Sequence, residues 1–165
     1  MGHLTVFQRT ANWAAPLHNT PISAAEMAEI KANYPQIFAR CRETPGCFIH
    51  MNDPRATFEV SEAERLAFYE ELYSKPGFGI WQGNFRDMST DPEANAAASE
   101  FIAGKIRQRV KNPALAEKLI PKDHGFGTRR VPLESGYFEV YNQDNVRLVD
   151  LRETPIDRIT PAGVK

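Results

Sequence analysis

The apolar and polar positions of the chain divide it into a short strand, a long helical block and a second group of strands. Leu4-Thr5-Val6-Phe7-Gln8 is β-branched and aromatic and predicts a strand. Asn12 to Pro21, with two prolines among polar residues, predicts the loop that leaves it. Ser23-Ala24-Ala25-Glu26 is a capping box: the serine hydroxyl accepts from the N–H three residues on, and the glutamate reaches back. Met27, Ile30, Tyr34, Ile37 and Cys41 follow at helical spacing and predict one apolar face, kinked or broken at Pro35. Ser61-Glu62-Ala63-Glu64 repeats the capping signal ahead of Leu66, Tyr69, Leu72 and Tyr73. Asp91-Pro92 starts a helix running through Ala94, Ala98, Phe101, Ile102 and Ile106 toward Val110, because proline at the first helical position loses no hydrogen bond. Asn112-Pro113 starts a shorter one that stops before Pro121. Residues 145–150 and 156–159 then predict two strands, with a turn at Pro161-Ala162-Gly163. Strand, helical block, strands is the order expected of an insertion inside a sheet domain. The competing reading is a small α+β domain complete in itself.

Composition narrows this picture. The 165 residues suit one domain on a prior of ~100–200 residues. They are 42% hydrophobic and 25% charged, as in a globular rather than a disordered chain. Twenty basic against twenty-one acidic residues give a net charge of −1, which argues against a nucleic-acid coat or a polybasic membrane surface. No apolar run approaches the ~20 residues of a membrane span, and the first residues lack the zones of a signal peptide. A cytoplasmic chain is the expectation.

Cys41 and Cys47 are too few for a disulfide framework or a zinc site. His50 lies near them as a partner for a catalytic thiol, but Cys41 continues the apolar stripe and reads as packing. The four histidines show no ligand spacing, so no metal site is expected. The pairs Glu62/Glu64 and Glu70/Glu71 sit at capping or solvent-facing helical positions. Phe78, Trp81 and Phe85, interleaved with Gly77, Gly79 and Gly83, read as packing between helices.

Two segments hold candidate chemistry. The first strand runs out into Gln8-Arg9-Thr10. In dinucleotide folds a carboxylate at such a strand end favours NAD, whereas an arginine there takes the 2′-phosphate of NADP; guanidinium and hydroxyl are the donors this needs. The second is Gly125-Phe126-Gly127-Thr128-Arg129-Arg130. Arg130 occupies the place of the third glycine of a GxGxxG, so this is not a phosphate loop. In an extended chain Arg129 and Arg130 point to opposite sides and can serve different anions.

Through LTVFQRTANWAAPLHN, TDPEANAAASEFIAGKIRQRVKNPALAEKLIPK and GFGTRRVPLESGYFEVYNQDNVRLVDLRETPIDRITPAGV, the chain resembles the Baeyer–Villiger monooxygenases. The likeness is collinear over nearly the whole chain but covers a minority of the family's length. Both glycine-rich nucleotide fingerprints, the FxGxxxHxxxW signature and the return to the flavin domain are missing. The resemblance implies an α/β fragment of a Rossmann-like NADPH-binding domain interrupted by a mostly α-helical insertion. Residues 1–12 would end the domain's first half, 13–124 form the insertion, and 125–165 begin the truncated second half. It implies FAD and NADPH as cofactors of the parent, neither binding this fragment well, and a ketone and O2 as its substrates. It implies further that Arg9 and Thr10 hold the adenosine 2′-phosphate and that Arg129, often lysine in the family, shares it. Arg130 would be the catalytic arginine near flavin and nicotinamide. There NADPH reduces FAD, oxygen adds at flavin C4a, and the resulting peroxide attacks the ketone to give an ester or lactone. A guanidinium suits this place because it keeps its charge in a dry site where lysine sheds a proton more readily. Ala11 stands where the family commonly has proline, which bears on the stiffness of the loop. Two other readings remain: a stand-alone helical binding or structural module without catalysis, and a related flavin N-hydroxylating monooxygenase, ranked lower because such enzymes need not share the helical insert and its Arg-Arg entry.

Overall fold

The computed structural model describes residues 2–165. After β1 (Leu4–Gln8) come β2 (Ala15–Pro16) and six helices: α1 (Ala24–Ala32), α2 (Tyr34–Glu43), α3 (Glu62–Ser74), α4 (Gly79–Gln82), α5 (Pro92–Arg109) and α6 (Pro113–Leu119). Strands β3 (Leu133–Glu134), β4 (Val146–Asp150), β5 (Ile159–Thr160) and β6 (Gly163–Val164) follow, with a 3₁₀ turn at Glu139–Asn142 between β3 and β4.

β1 pairs in parallel with β4, from Leu4 opposite Val146 to Gln8 opposite Asp150. Parallel neighbours require a crossover, and here the crossover contains the whole helical block. β2 pairs in parallel with β3, so the loop predicted over Asn12–Pro21 holds a short strand. Its signal is two residues long, and its partner is far away in sequence. The strand predicted at 156–159 is shifted: only Ile159 belongs to β5, which forms an antiparallel hairpin with β6. Thr160 and Gly163, the latter at φ +130, close its turn.

Both capping boxes form. Ser23 Oγ accepts from the Glu26 N–H and Ser61 Oγ from the Glu64 N–H, with each glutamate reaching back. Asp91 caps α5 through the N–H groups of Glu93 and Ala94, and Asn112 caps α6 through that of Leu115. The apolar face predicted from Met27 to Cys41 does not survive as one face. The helix ends at Ala32, Pro35 falls in the first turn of α2, and neither α1 nor α2 contains a buried residue. Cys41 is half-buried and Cys47 exposed, so the packing role expected of Cys41 is only partly met.

The core instead gathers around α3, α5 and α6. Tyr69, Ile102, Ile106 and Leu119 pack with Phe85, Met88, Phe126, Val131 and Phe138, joined by Trp13, Ala14 and Ala15 from the segment after β1. Each large side chain buried there contributes about 1.5–3 kcal/mol relative to exposure. At the end of α5, Arg109 pairs with Glu134 and Glu139, donates to the Tyr73 hydroxyl and lies over the Phe138 ring. Burial alone would weaken the charge of this guanidinium, but the two carboxylates outweigh it and raise its pKa. Glu70 and Glu71 serve as ion-pair partners of Lys105 and Lys75, in keeping with a structural role. Among the described residues no helix is long and apolar enough to cross a membrane.

Candidate functional site

The segment Arg9–Pro16 is stitched to residues 124–134. Leu17 and Ala15 donate backbone hydrogen bonds to Glu134 and Pro132 (2.8 and 3.1 Å). The Trp13 indole N–H donates to the His124 carbonyl at 2.9 Å. The Asn12 amide donates to the Arg130 carbonyl at 3.3 Å, across 118 residues of sequence. His124, whose side chain is nearly buried, completes the link with Nδ1 at 2.8 Å from Asp123 and Nε2 at 3.2 Å from Asn12 Oδ1. Loops so far apart in the chain become the two walls of one region at the C-terminal end of β1, where open parallel sheets place their ligands.

Two clefts open there. One, of about 550 Å³, is lined by Val6, Phe7, Arg9, Thr10, Asn12 and Pro132, with Glu134 and Tyr137 at its far side. The other, of about 160 Å³, lies between Arg9, Lys118, Lys122, Asp123, Asp150 and Arg152. Their carboxylates are already engaged. Glu134 is held by Arg109 and the Tyr137 N–H, Glu117 by Arg107 and Lys122, and Asp150 by the Arg152 N–H. Contact with His124, and the Arg129 charge behind it, hold the Asp123 carboxyl below the usual carboxylate range. The same logic, with Arg107 the larger influence and Lys122 the second, brings Glu117 down to about 2. Neither Arg9 nor Arg152 makes an ion pair among the described residues, and of the two Arg9 lines both clefts.

The structure therefore brings Arg9 and Thr10 together on one cleft and places Arg129 one carboxylate away, its guanidinium 3.4 Å from Asp123. Arg130 is held next to them by its backbone, while its side chain lines neither cleft and has no ion-pair partner among the described residues. Gly125-Phe126-Gly127 passes into a turn, not a helix, with Thr128 N–H and hydroxyl both donating to the Gly125 carbonyl. Trp81 is a packing residue: it meets the Phe78 ring edge to face and covers Gly127. Gly127 sits at φ +78, and a Cβ there would lie 2.7 Å from Trp81 Cδ1. Gly127→Ala is expected to lower stability by about 1–3 kcal/mol through backbone strain alone, with the clash added; an unchanged melting temperature would contradict this. Asn12, Trp13 and His124 escape sequence reasoning, because no local pattern marks hydrogen bonds made across more than a hundred residues.

These features define a mixed α/β segment whose strand end carries a hydroxyl and an arginine without an ion-pair partner among the described residues. No family model matches the chain. The 2-oxo-Delta(3)-4,5,5-trimethylcyclopentenylacetyl-CoA monooxygenase of Pseudomonas putida is 53% identical over 98% of the chain, and cyclohexanone 1,2-monooxygenase of Acinetobacter sp. is 40% identical over 99%. The chain spans about 30% of the length of each. The crystal structure of OTEMO in complex with FAD and NADP superposes with a TM-score of 0.97 over 99% of the chain, at 53% identity. The chain belongs to the Baeyer–Villiger monooxygenase family, as a segment of its fold. Phenazine N-monooxygenase PhzNO1 of Lysobacter antibioticus is also 40% identical over 98% of the chain.

Proposed function

We propose that the chain is the part of an NADPH- and FAD-dependent Baeyer–Villiger monooxygenase that holds the cofactor's 2′-phosphate and presents the catalytic arginine. In this reading residues 1–12 and 125–165 belong to the two halves of a Rossmann-like NADPH-binding domain, and 13–124 is its helical insertion. The observation that carries the proposal is the cleft at the end of β1, where Arg9 has no ion-pair partner among the described residues and the surrounding carboxylates already accept hydrogen bonds from their neighbours.

The residues present fit the phosphate end of the dinucleotide. Guanidinium and hydroxyl donors suit a dianion, and the carboxylates beside them already accept hydrogen bonds, Asp150 from the Arg152 N–H. These residues do not supply a pyrophosphate cradle, because the glycine turn that enters a helix, Gly77-Phe78-Gly79 at α4, lines neither cleft. When bound, NADPH and FAD supply the reducing equivalents and the activated oxygen. Arg9 and Thr10 anchor the adenosine end, and a 2′-phosphate draws Arg129 from its long contact with Asp123. Arg130 sets a permanent positive charge against the negative charge that develops on the substrate carbonyl oxygen. Asn12 fixes the backbone of Arg130 relative to the strand that carries Arg9.

Ketones are the proposed substrates, as the names of the cyclohexanone and cyclopentanone relatives support. The phenazine relative supports a second reading, oxygenation of an aromatic nitrogen by the same cofactors. The test is the full-length flavoprotein with NADPH and O2, offered a cyclic ketone and an N-heteroarene in parallel. Lactone from the ketone is expected. N-oxide alone selects the second reading, and no oxygenated product removes both.

A further inference from the structure

Arg130 owes its place to the helical block as well as to the strand. On α5, Asn95 and Ser99 stand one turn apart and together grip the backbone of Phe126. The Asn95 amide nitrogen donates to the Phe126 carbonyl at 2.8 Å and to the Met88 carbonyl at 3.0 Å. The Phe126 N–H donates to Ser99 Oγ at 2.9 Å, and the Ser99 hydroxyl donates to Asn95 Oδ1 at 3.3 Å. Phe126 is fully buried against the Trp13 ring, so both its main-chain polar groups depend on α5 for their hydrogen bonds. Gly125 has no Cβ because Asn95 Oδ1 lies 1.8 Å from where one would stand. Downstream, the chain turns at Gly127 and reaches Arg130, whose carbonyl is taken by Asn12. The stretch between is thus pinned at one end by α5 and at the other by the loop after β1.

We infer that Asn95 and Ser99 are positioning residues, acting through the Phe126 backbone to hold the Arg130 guanidinium where the reaction needs it. The inference rests on the role proposed for Arg130 and assigns to the helical block a part in catalysis at a distance. Positional errors of about 1 Å transmitted from such a support cost up to ~100-fold in rate, whereas binding of the cofactor's phosphate end, held by other residues, is less affected.

The experiment compares Asn95→Ala, Ser99→Ala and Ser99→Thr in the full-length flavoprotein loaded with FAD. It reads the fraction of consumed NADPH recovered as oxygenated product, the KM for NADPH and the melting temperature. Asn95→Ala and Ser99→Ala are expected to lower that fraction about three- to tenfold, with the KM changed less than about twofold. Ser99→Thr keeps the hydroxyl and is expected to restore it. A lowered melting temperature with the product fraction intact overturns the inference and leaves the proposed function standing. A wild type that oxygenates neither ketone nor heteroarene overturns the proposed function first, and the positioning role with it. Should Asn95→Ala fail to fold, the two Ser99 variants alone decide the outcome.

Discussion

Arg130→Ala in the full-length flavoprotein is expected to abolish ester formation while much of the NADPH oxidation continues. Removing one donor that meets charge developing in a transition state typically costs about 10²–10³-fold in turnover. Nothing in the geometry ties the Arg130 side chain to the cleft that holds Arg9 and Thr10, so hydride delivery depends on it less than oxygen insertion does. Simultaneous measurement of NADPH loss and ester yield separates the two steps. Arg130→Lys is expected to fall between, because an ammonium carries the charge without the planar fork of donors. Ester formation at the wild-type rate in Arg130→Ala would remove this arginine from the chemistry.

Arg9→Ala is expected to raise the KM for NADPH about 10- to 100-fold, and that for NADH far less. A hydrogen bond to a charged group is worth about 1.5–3 kcal/mol, and a phosphate dianion loses its principal cationic partner here. The selectivity follows from geometry. Of the other basic groups of the smaller cleft, Lys118 pairs with Glu153 and Lys122 with Glu117, while the Arg152 guanidinium has no ion-pair partner among the described residues. Arg129 remains as a partial substitute through its long contact with Asp123, so the double variant Arg9→Ala/Arg129→Ala is expected to discriminate least. Equal effects of Arg9→Ala on the two nucleotides would withdraw the phosphate assignment.

Local chemistry was legible in the sequence wherever its cause is local. Ser23 with Glu26, Ser61 with Glu64, Asp91 before Pro92 and Asn112 before Pro113 each start a helix at the residue they mark, because a cap and its N–H partner lie within one turn. The strand at Leu4–Gln8 is of the same kind. What the pattern misjudged depends on distant partners. The stripe from Met27 to Cys41 has helical spacing, yet spacing does not say whether a surface exists to cover it, and α1 and α2 have no buried residue. β2 and β3 are two residues each and exist through one another. At the site, Arg9 and Thr10 could be singled out only through the family resemblance, since an arginine at a strand end is common and usually just solvated. Asn12, His124, Asn95 and Ser99 could not, since their meaning lies in which carbonyl or N–H each one reaches.

The parallel pairing of β1 with β4 also has a consequence for synthesis. Within this segment, β1 meets its parallel partner only after the helices and then Val146–Asp150 have been made. Closing so long a loop costs entropy and slows the search, so the helical block is expected to consolidate early and the strand pair late. Until then the strand end at Arg9 lacks the support of β4, and its geometry is among the last features of the segment to form.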